Sequence, residues 1–255
     1  TNRNGVALTS TEDMNISQIS ININEDAKTV IENSDGDYWI GMDGKGLLKY
    51  SVKDGSFRHF SANDSSIPSE NIVGSSMLSD GSLVFSTYGG GAFKWNGSNS
   101  IRFSCNDENF HNEIKYCQEA VEDNSGNIWF LTFNRGVVCL MPDGSWKKFN
   151  RKNSELISDH MTSITYSPEH DRLFVSNMEC IYEISTQTLE LTRFKIFDQV
   201  TVLHLDKRCI LWVGTTDGLW YRELKKDSEF NCLDVSDGLS HSHIKGIAAD
   251  IKEDI

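Results

Sequence analysis

The chain has 255 residues, 38% of them hydrophobic and 10% aromatic, enough apolar content for a well-buried domain. Lys and Arg total 24 against 37 Asp and Glu, and a formal charge of −13 lacks the electrostatic footprint that nucleic-acid binding needs and is repelled by an anionic membrane surface. No apolar run approaches the roughly 20 residues of a membrane span, and no apolar stretch follows Thr1-Asn2-Arg3-Asn4 as a signal peptide would require.

Only three prolines occur and no Pro-, Gly- or Ser-rich linker divides the sequence, so 1–255 reads as a single domain. Gly5-Val6-Ala7-Leu8 fits the third strand of a repeat and 16–23 its fourth, giving a partial blade over 1–26. Repeats then start near 27, 71, 113, 160 and 199. Each holds an apolar anchor, at Trp39, Val84, Trp129, Phe174 and Trp212, with spacings of 45, 45, 45 and 38. A period in this range with four short strands per unit predicts a propeller blade. The fold class is all-β: a β-propeller of four-stranded antiparallel blades, six or seven of them, or an excised part of a longer array.

Within each unit an apolar inner strand comes first: 29–31, 72–74, 116–121, 164–166 and 200–205. Their β-branched composition with little alternation predicts strands buried on both faces. Asp-Gly or Ser-Gly pairs supply the hairpin to the anchor strand, because Gly takes a positive φ cheaply. A second hairpin ends at Gly46, Gly91, Gly136 and Gly218; the fourth unit has Cys180 there, and its loop is expected to be distorted. Outer strands follow at 57–60, 101–103, 146–149, 191–194 and 230–233, with basic residues toward solvent at the sheet edge. A partial blade over 243–255 begins with an inner strand at 244–248. It either closes a composite blade with 1–26, giving six, or marks a longer parent propeller.

The anchor tryptophans are expected in the core, where the flat ring fills the wedge between blades. Cys139, Cys180 and Cys209 lie in or beside apolar strands and read as small buried hydrophobes. No Cys-x-x-Cys pair, no zinc spacing and no Gly-x-Ser-x-Gly, His-Glu-x-x-His or Walker pattern occurs, so no cofactor, metal or catalytic residue is expected. Gly89-Gly90-Gly91 reads as a hairpin because no helix follows to offer its N-terminus to a phosphate.

The segments 210–221 and 236–247 resemble the two-component-regulator propeller repeat, which runs as Gly-Leu-Ser, an inner strand, Asp-x-x-Gly-x-Ile/Leu-Trp-Ile-Gly-Thr and Gly-Leu. Residues 35–47 and 123–136 match it well and the fourth unit departs from it; the likeness covers most of 24–255. The resemblance implies a periplasmic sensor region of a Bacteroides-type hybrid two-component receptor, an inner-membrane histidine kinase. It implies an oligosaccharide or other small extracellular ligand, a homodimer formed through the parent receptor, and a membrane tether in parts of the parent outside this chain. It implies that this domain is not itself an enzyme. The alternatives are a protein-interaction scaffold without a small ligand, and a propeller lyase or hydrolase.

In a propeller, the hairpins after the anchor strands and the linkers into the inner strands share one face, where recognition residues concentrate. The candidates are Asp43, Lys45, Tyr88, Phe133, Asn134, Arg135, Asn177, Glu179, Thr216 and Asp217 on the hairpins, and Asn71, Asn112, Asp159, His160, His241 and His243 on the linkers. Tyr88, Phe133 and Arg135 best supply the flat apolar platform and planar polar group that a sugar needs.

Overall fold

The computed structural model describes residues 6–9, 16–19, 27–63, 67–225 and 228–247. The chain divides into two compact units, Thr1–Ala120 and Val121–Ile255. In the first, β1 (Val6–Thr9) and β2 (Ile16–Ile19) form an antiparallel pair. Two four-stranded antiparallel sheets follow. One runs β3 (Ala27–Glu32), β4 (Tyr38–Met42), β5 (Gly46–Tyr50), β6 (Phe57–Phe60). The other runs β7 (Ile72–Met77), β8 (Leu83–Thr87), β9 (Gly91–Trp95), β10 (Ser100–Arg102). A one-turn helix, α1 (Asn109–Glu113), precedes β11 (Cys117–Glu122), which spans the boundary of the units.

In the second unit β12 (Ile128–Thr132), β13 (Val137–Leu140) and β14 (Trp146–Phe149) continue the sheet that β11 begins. The fourth sheet is β15 (Ser163–Ser167), β16 (Arg172–Ser176), β17 (Cys180–Ser185) and β18 (Leu191–Ile196). The fifth is β19 (Val200–Leu205), β20 (Ile210–Thr215), β21 (Gly218–Glu223) and β22 (Asn231–Leu233). Each four-stranded sheet is thus an up-and-down meander in sequence order.

The anchors are core. In the first unit Trp39 packs with Phe60, Ile72, Phe85 and Trp95, side chains of two successive sheets. In the second, Trp129 packs with Phe149, Leu156 and Ile164, again across successive sheets. The outer strand closes over the anchor through its last aromatic: Phe60 lies 5.6 Å from Trp39 and Phe149 5.9 Å from Trp129, centroid to centroid.

A buried indole brings an N–H that must be satisfied. Six residues before Trp129, buried Asp123 accepts Trp129 Nε1 at 2.8 Å on one oxygen and the N–H groups of Ser125 and Asn127 on the other. Asp206 does the same for Trp212 (3.2 Å) and Ile210 N–H. Burial acts to raise the Asp206 carboxyl, but donors from Ile210, Trp212 and Arg208 outweigh it and hold the group below the ordinary carboxylate range. The equivalent residue before Trp39 is Asn33. Its single amide oxygen is taken by the N–H groups of Asp35 and Asp37, and Trp39 Nε1 has no partner among the described residues.

Two expectations need correction. Not every inner strand is buried on both faces: β3 alternates half-buried and exposed residues, and Val30 and Met77 are exposed, whereas β11, β15 and β19 hold no exposed residue. The strands buried along their whole length are the anchor strands β8 and β12 and, beside the latter, β13. Secondly, Ile244–Ile247 is not a strand. Ile244 occupies an inner-strand start, donating to Thr215 O at 2.9 Å and accepting from Thr201 Oγ1 at 2.5 Å. The residues that would pair with it, 248–255, lie outside the described ones.

The buried cysteines behave as expected for Cys139, Cys180 and Cys209, with Cys117 buried as well; Cys105 is half-buried and Cys232 exposed. Burial pushes the Cys117 and Cys139 thiols up to about 12.

The second hairpin of each repeat is joined to the linker that follows the sheet. The glycine that closes it donates its N–H to a linker carbonyl: Gly46 to Glu70, Gly91 to Lys115, Gly136 to Asp159 and Gly218 to Ser242. Gly136 has φ +79° and a Cβ there would lie 2.0 Å from Phe149 O, so no other residue fits. Around Cys180 the loop is rebuilt rather than distorted. Asn177 Oδ1 accepts the N–H groups of Glu179 and Cys180, and the linker now donates: Phe197 N to Glu179 O and Val200 N to Met178 O.

Three substitutions test these contacts. Gly136→Ala should cost at least about 3 kcal/mol in denaturant unfolding, combining the positive φ with the clash on Phe149. Gly91→Ala has the same φ, but its Cβ meets nothing nearer than 3.6 Å, so it should cost roughly 1–2 kcal/mol. Asp123→Asn should cost roughly 1–3 kcal/mol by orphaning Trp129 Nε1; an unchanged midpoint would remove the indole from the account.

Candidate ligand-binding site

The hairpin between β8 and β9 carries Tyr88 and three successive glycines. Thr87 is fully buried and holds the turn from inside: its hydroxyl donates to Gly91 O at 2.7 Å and accepts Gly90 N–H at 3.0 Å. Gly89 and Gly91 both donate to Lys115 O at 3.0 Å. A Cβ on Gly90 would lie 2.9 Å from Ser69 Cβ, so the turn is pressed against the preceding linker as well. Thr132 and Thr215 clamp the corresponding turns in the second unit through Gly136 O and Gly218 O.

Beside the glycine turn lies a cleft of about 260 Å³ in the first unit. Its floor is Gly89–Ala92; its polar groups are Arg102 at the end of β10, His111 and Asn112 on α1, and Lys115. Helix α1 is anchored by Phe110 and Ile114, both buried one turn apart, which turns His111 and Asn112 toward the cleft lining. Partial burial and, next, the Arg102 charge hold the His111 imidazole below its ordinary value, so it stands neutral at neutral pH. Tyr88 and Tyr116 flank the glycine turn and Lys115. Their rings are 4.8 Å apart, their backbones form a bridge, and Tyr88 is 46% exposed.

The remaining candidates fall into local pairs. In the second unit Phe133 meets His160 at 4.3 Å between ring centroids. Arg135, half-buried, starts from the same turn, its N–H held by Thr132 Oγ1 at 3.0 Å. Asp217 and His243 are both exposed on a hairpin and linker tied by the Gly218–Ser242 bond. In the first unit Asp43 is exposed and forms an ion pair with Lys28 at 3.6 Å. Asn177 is buried and fully engaged in its turn, a structural role rather than a binding one. Among the described residues, no three or more His, Cys, Asp and Glu side chains gather as a metal site would need.

Sequence reasoning reached Tyr88 and Asn112 but missed Arg102, His111 and Lys115 as one group. The available signal was the Phe110/Ile114 pair at i, i+4 in a long linker, which marks a helical turn.

No family model and no curated protein matches the chain. Solved structures do. The chain is similar to the extracellular domain assigned to the hybrid two-component system BT3049 of B. thetaiotaomicron, at 19% identity and TM-score 0.75, over 92% of this chain and 31% of that one. It is similar to the extracellular domain assigned to the hybrid two-component system BT4673 of the same organism, at 17% identity and TM-score 0.74, over 98% and 36%. Virginiamycin B lyase from Staphylococcus aureus matches at 14% identity and TM-score 0.71, over 91% and 78%. These likenesses establish the fold as a β-propeller of four-stranded antiparallel blades. The chain spans about a third of the length of the two extracellular domains.

The site has a pH signature. A histidine whose folded pKa is lowered binds fewer protons than the unfolded chain, so its contribution to stability falls as pH drops below about 6.5. NMR titration should place His111 below the ordinary histidine value, and Arg102→Gln should move it upward. A titration unaltered by Arg102→Gln would separate the two side chains.

Proposed function

We propose that this chain is a ligand-recognition propeller within the extracytoplasmic sensor region of a two-component receptor, and that its ligand is an oligosaccharide. The observation that carries the reading is the cleft beside the Tyr88–Tyr116 pair. The cleft offers planar polar groups and a floor without side chains, and the tilted Tyr88 and Tyr116 rings stand beside it on the same hairpin and linker, which backbone bonds hold together. Sugars bind to such combinations of aromatic face and hydrogen-bonding side chains. Similarity in fold to the B. thetaiotaomicron extracellular domains supports the sensor setting; the periplasm as location, a kinase-bearing parent and its dimerisation are part of the proposal and come from the resemblance of the repeat.

Binding without turnover is the better reading of this cleft. Glycoside hydrolysis uses a pair of carboxyl groups across the bond, and no Asp or Glu is among the described residues lining it. The Phe133–His160 pair with Arg135 offers similar chemistry in the second unit and is the second place to look.

Titration calorimetry of the chain with a panel of defined oligosaccharides tests the proposal. One or more sugars should release heat, and Tyr88→Ala should weaken that binding about tenfold while leaving the unfolding midpoint in place. Loss of binding in Phe133→Ala instead would move the site to the second unit. Silence across the panel would favour a protein-interaction scaffold.

A further inference from the structure

Resting on that reading, we infer that the cleft between the glycine turn and α1 selects an acidic sugar, one bearing a carboxylate or sulfate, with Arg102 and Lys115 as the groups that hold its charge. The chain as a whole carries 37 acidic against 24 basic side chains. A randomly chosen surface patch should therefore be acidic, and a mobile anion is repelled from most of the molecule. The cleft inverts that sign. Its titratable lining consists of Arg102, His111 and Lys115.

These charges are not used up internally. Arg102 is exposed and has no carboxylate partner among the described residues. The Lys115 ammonium lies over the Tyr116 ring at 5.7 Å, a contact that leaves its three donors open. Each of these cations disfavours charge on the others, as the effect of Arg102 on His111 shows. An anion between them relieves that repulsion, and a guanidinium fork matches the two oxygens of a carboxylate or sulfate.

The backbone is not the anion holder. Gly89 and Gly91 spend their N–H groups on Lys115 O, and Gly90 donates to Thr87 Oγ1. Recognition therefore falls to side chains, which favours a spread ligand over a compact phosphate nest. The Tyr88–Tyr116 rings beside Lys115 supply the apolar face for the sugar ring that carries the charge.

The test is titration of the intact chain with oligogalacturonides, chondroitin sulfate disaccharides and neutral galacto-oligosaccharides of similar length, with sodium sulfate as a further probe. At least one acidic sugar should bind at least about tenfold more tightly than the neutral ones, and raising NaCl from about 50 to about 500 mM should weaken it. Arg102→Gln with Lys115→Gln should remove most of that preference without shifting the unfolding midpoint, because both side chains are exposed. The uronate and sulfate arms tell which anion is preferred. Neutral sugars binding as tightly as acidic ones, unaffected by the double variant, would overturn the inference and leave the sugar-sensor proposal standing. Sulfate ion alone binding as tightly as the sugars would overturn it too, because the sugar ring would then add nothing. Silence from every probe would overturn both.

Discussion

A single kind of backbone hydrogen bond organises the functional end of every repeat. The hairpin after the anchor strand has to turn tightly, and its closing glycine presents an N–H that cannot stay unpaired when buried. In four repeats that N–H goes to the linker entering the next inner strand. Two loops separated by more than 20 residues are thereby fixed against each other. Everything the candidate site needs follows: the glycine turn packs on Lys115 O, Lys115 leads into Tyr116, and Tyr116 meets Tyr88. The fourth repeat obeys the same requirement with the opposite polarity, its linker donating and its hairpin accepting.

The anchor position shows how local chemistry travels with a residue. Where the anchor is Trp129 or Trp212, an acid stands six residues earlier and takes the indole proton. Where the anchor is Val84 or Phe174, the same position holds Leu78 or Pro168, and there is no indole to satisfy. Trp39 with Asn33 is the intermediate case, an indole paired with a residue one acceptor short. The pattern in two repeats ties the hairpin Asp to the core rather than to any ligand.

Much of this was legible in the sequence because the determinants are local and repeat. The anchor spacing located all five sheets, and the boundaries of Val200–Leu205 and Phe57–Phe60 were read without error. Composition misled on the inner strands. β-Branched residues there serve strand conformation as much as burial, so Val30 is exposed despite its type. The cleft was not legible for a different reason. It arises from the absence of side chains at Gly89–Gly91 and from a linker helix that no repeat period announces. Arg102 and His111 are brought together by β10 ending where α1 begins, a juxtaposition no motif encodes. Cys180 misled because a missing glycine looks like damage, whereas Asn177 supplies the acceptor that rebuilds the turn.

The cysteines carry a consequence for how such a chain reaches its native state. Four thiols are buried in the folded chain, and burial pushes two of them up to about 12. In the unfolded chain all six are ordinary, accessible nucleophiles. In any oxidising compartment, strand closure therefore races against disulfide formation. A sheet that closes first preserves its thiols as packing atoms, and a bond that forms first leaves a chain unable to close. Sheets built hairpin to hairpin, with contacts local in sequence, shorten the interval in which that competition can be lost.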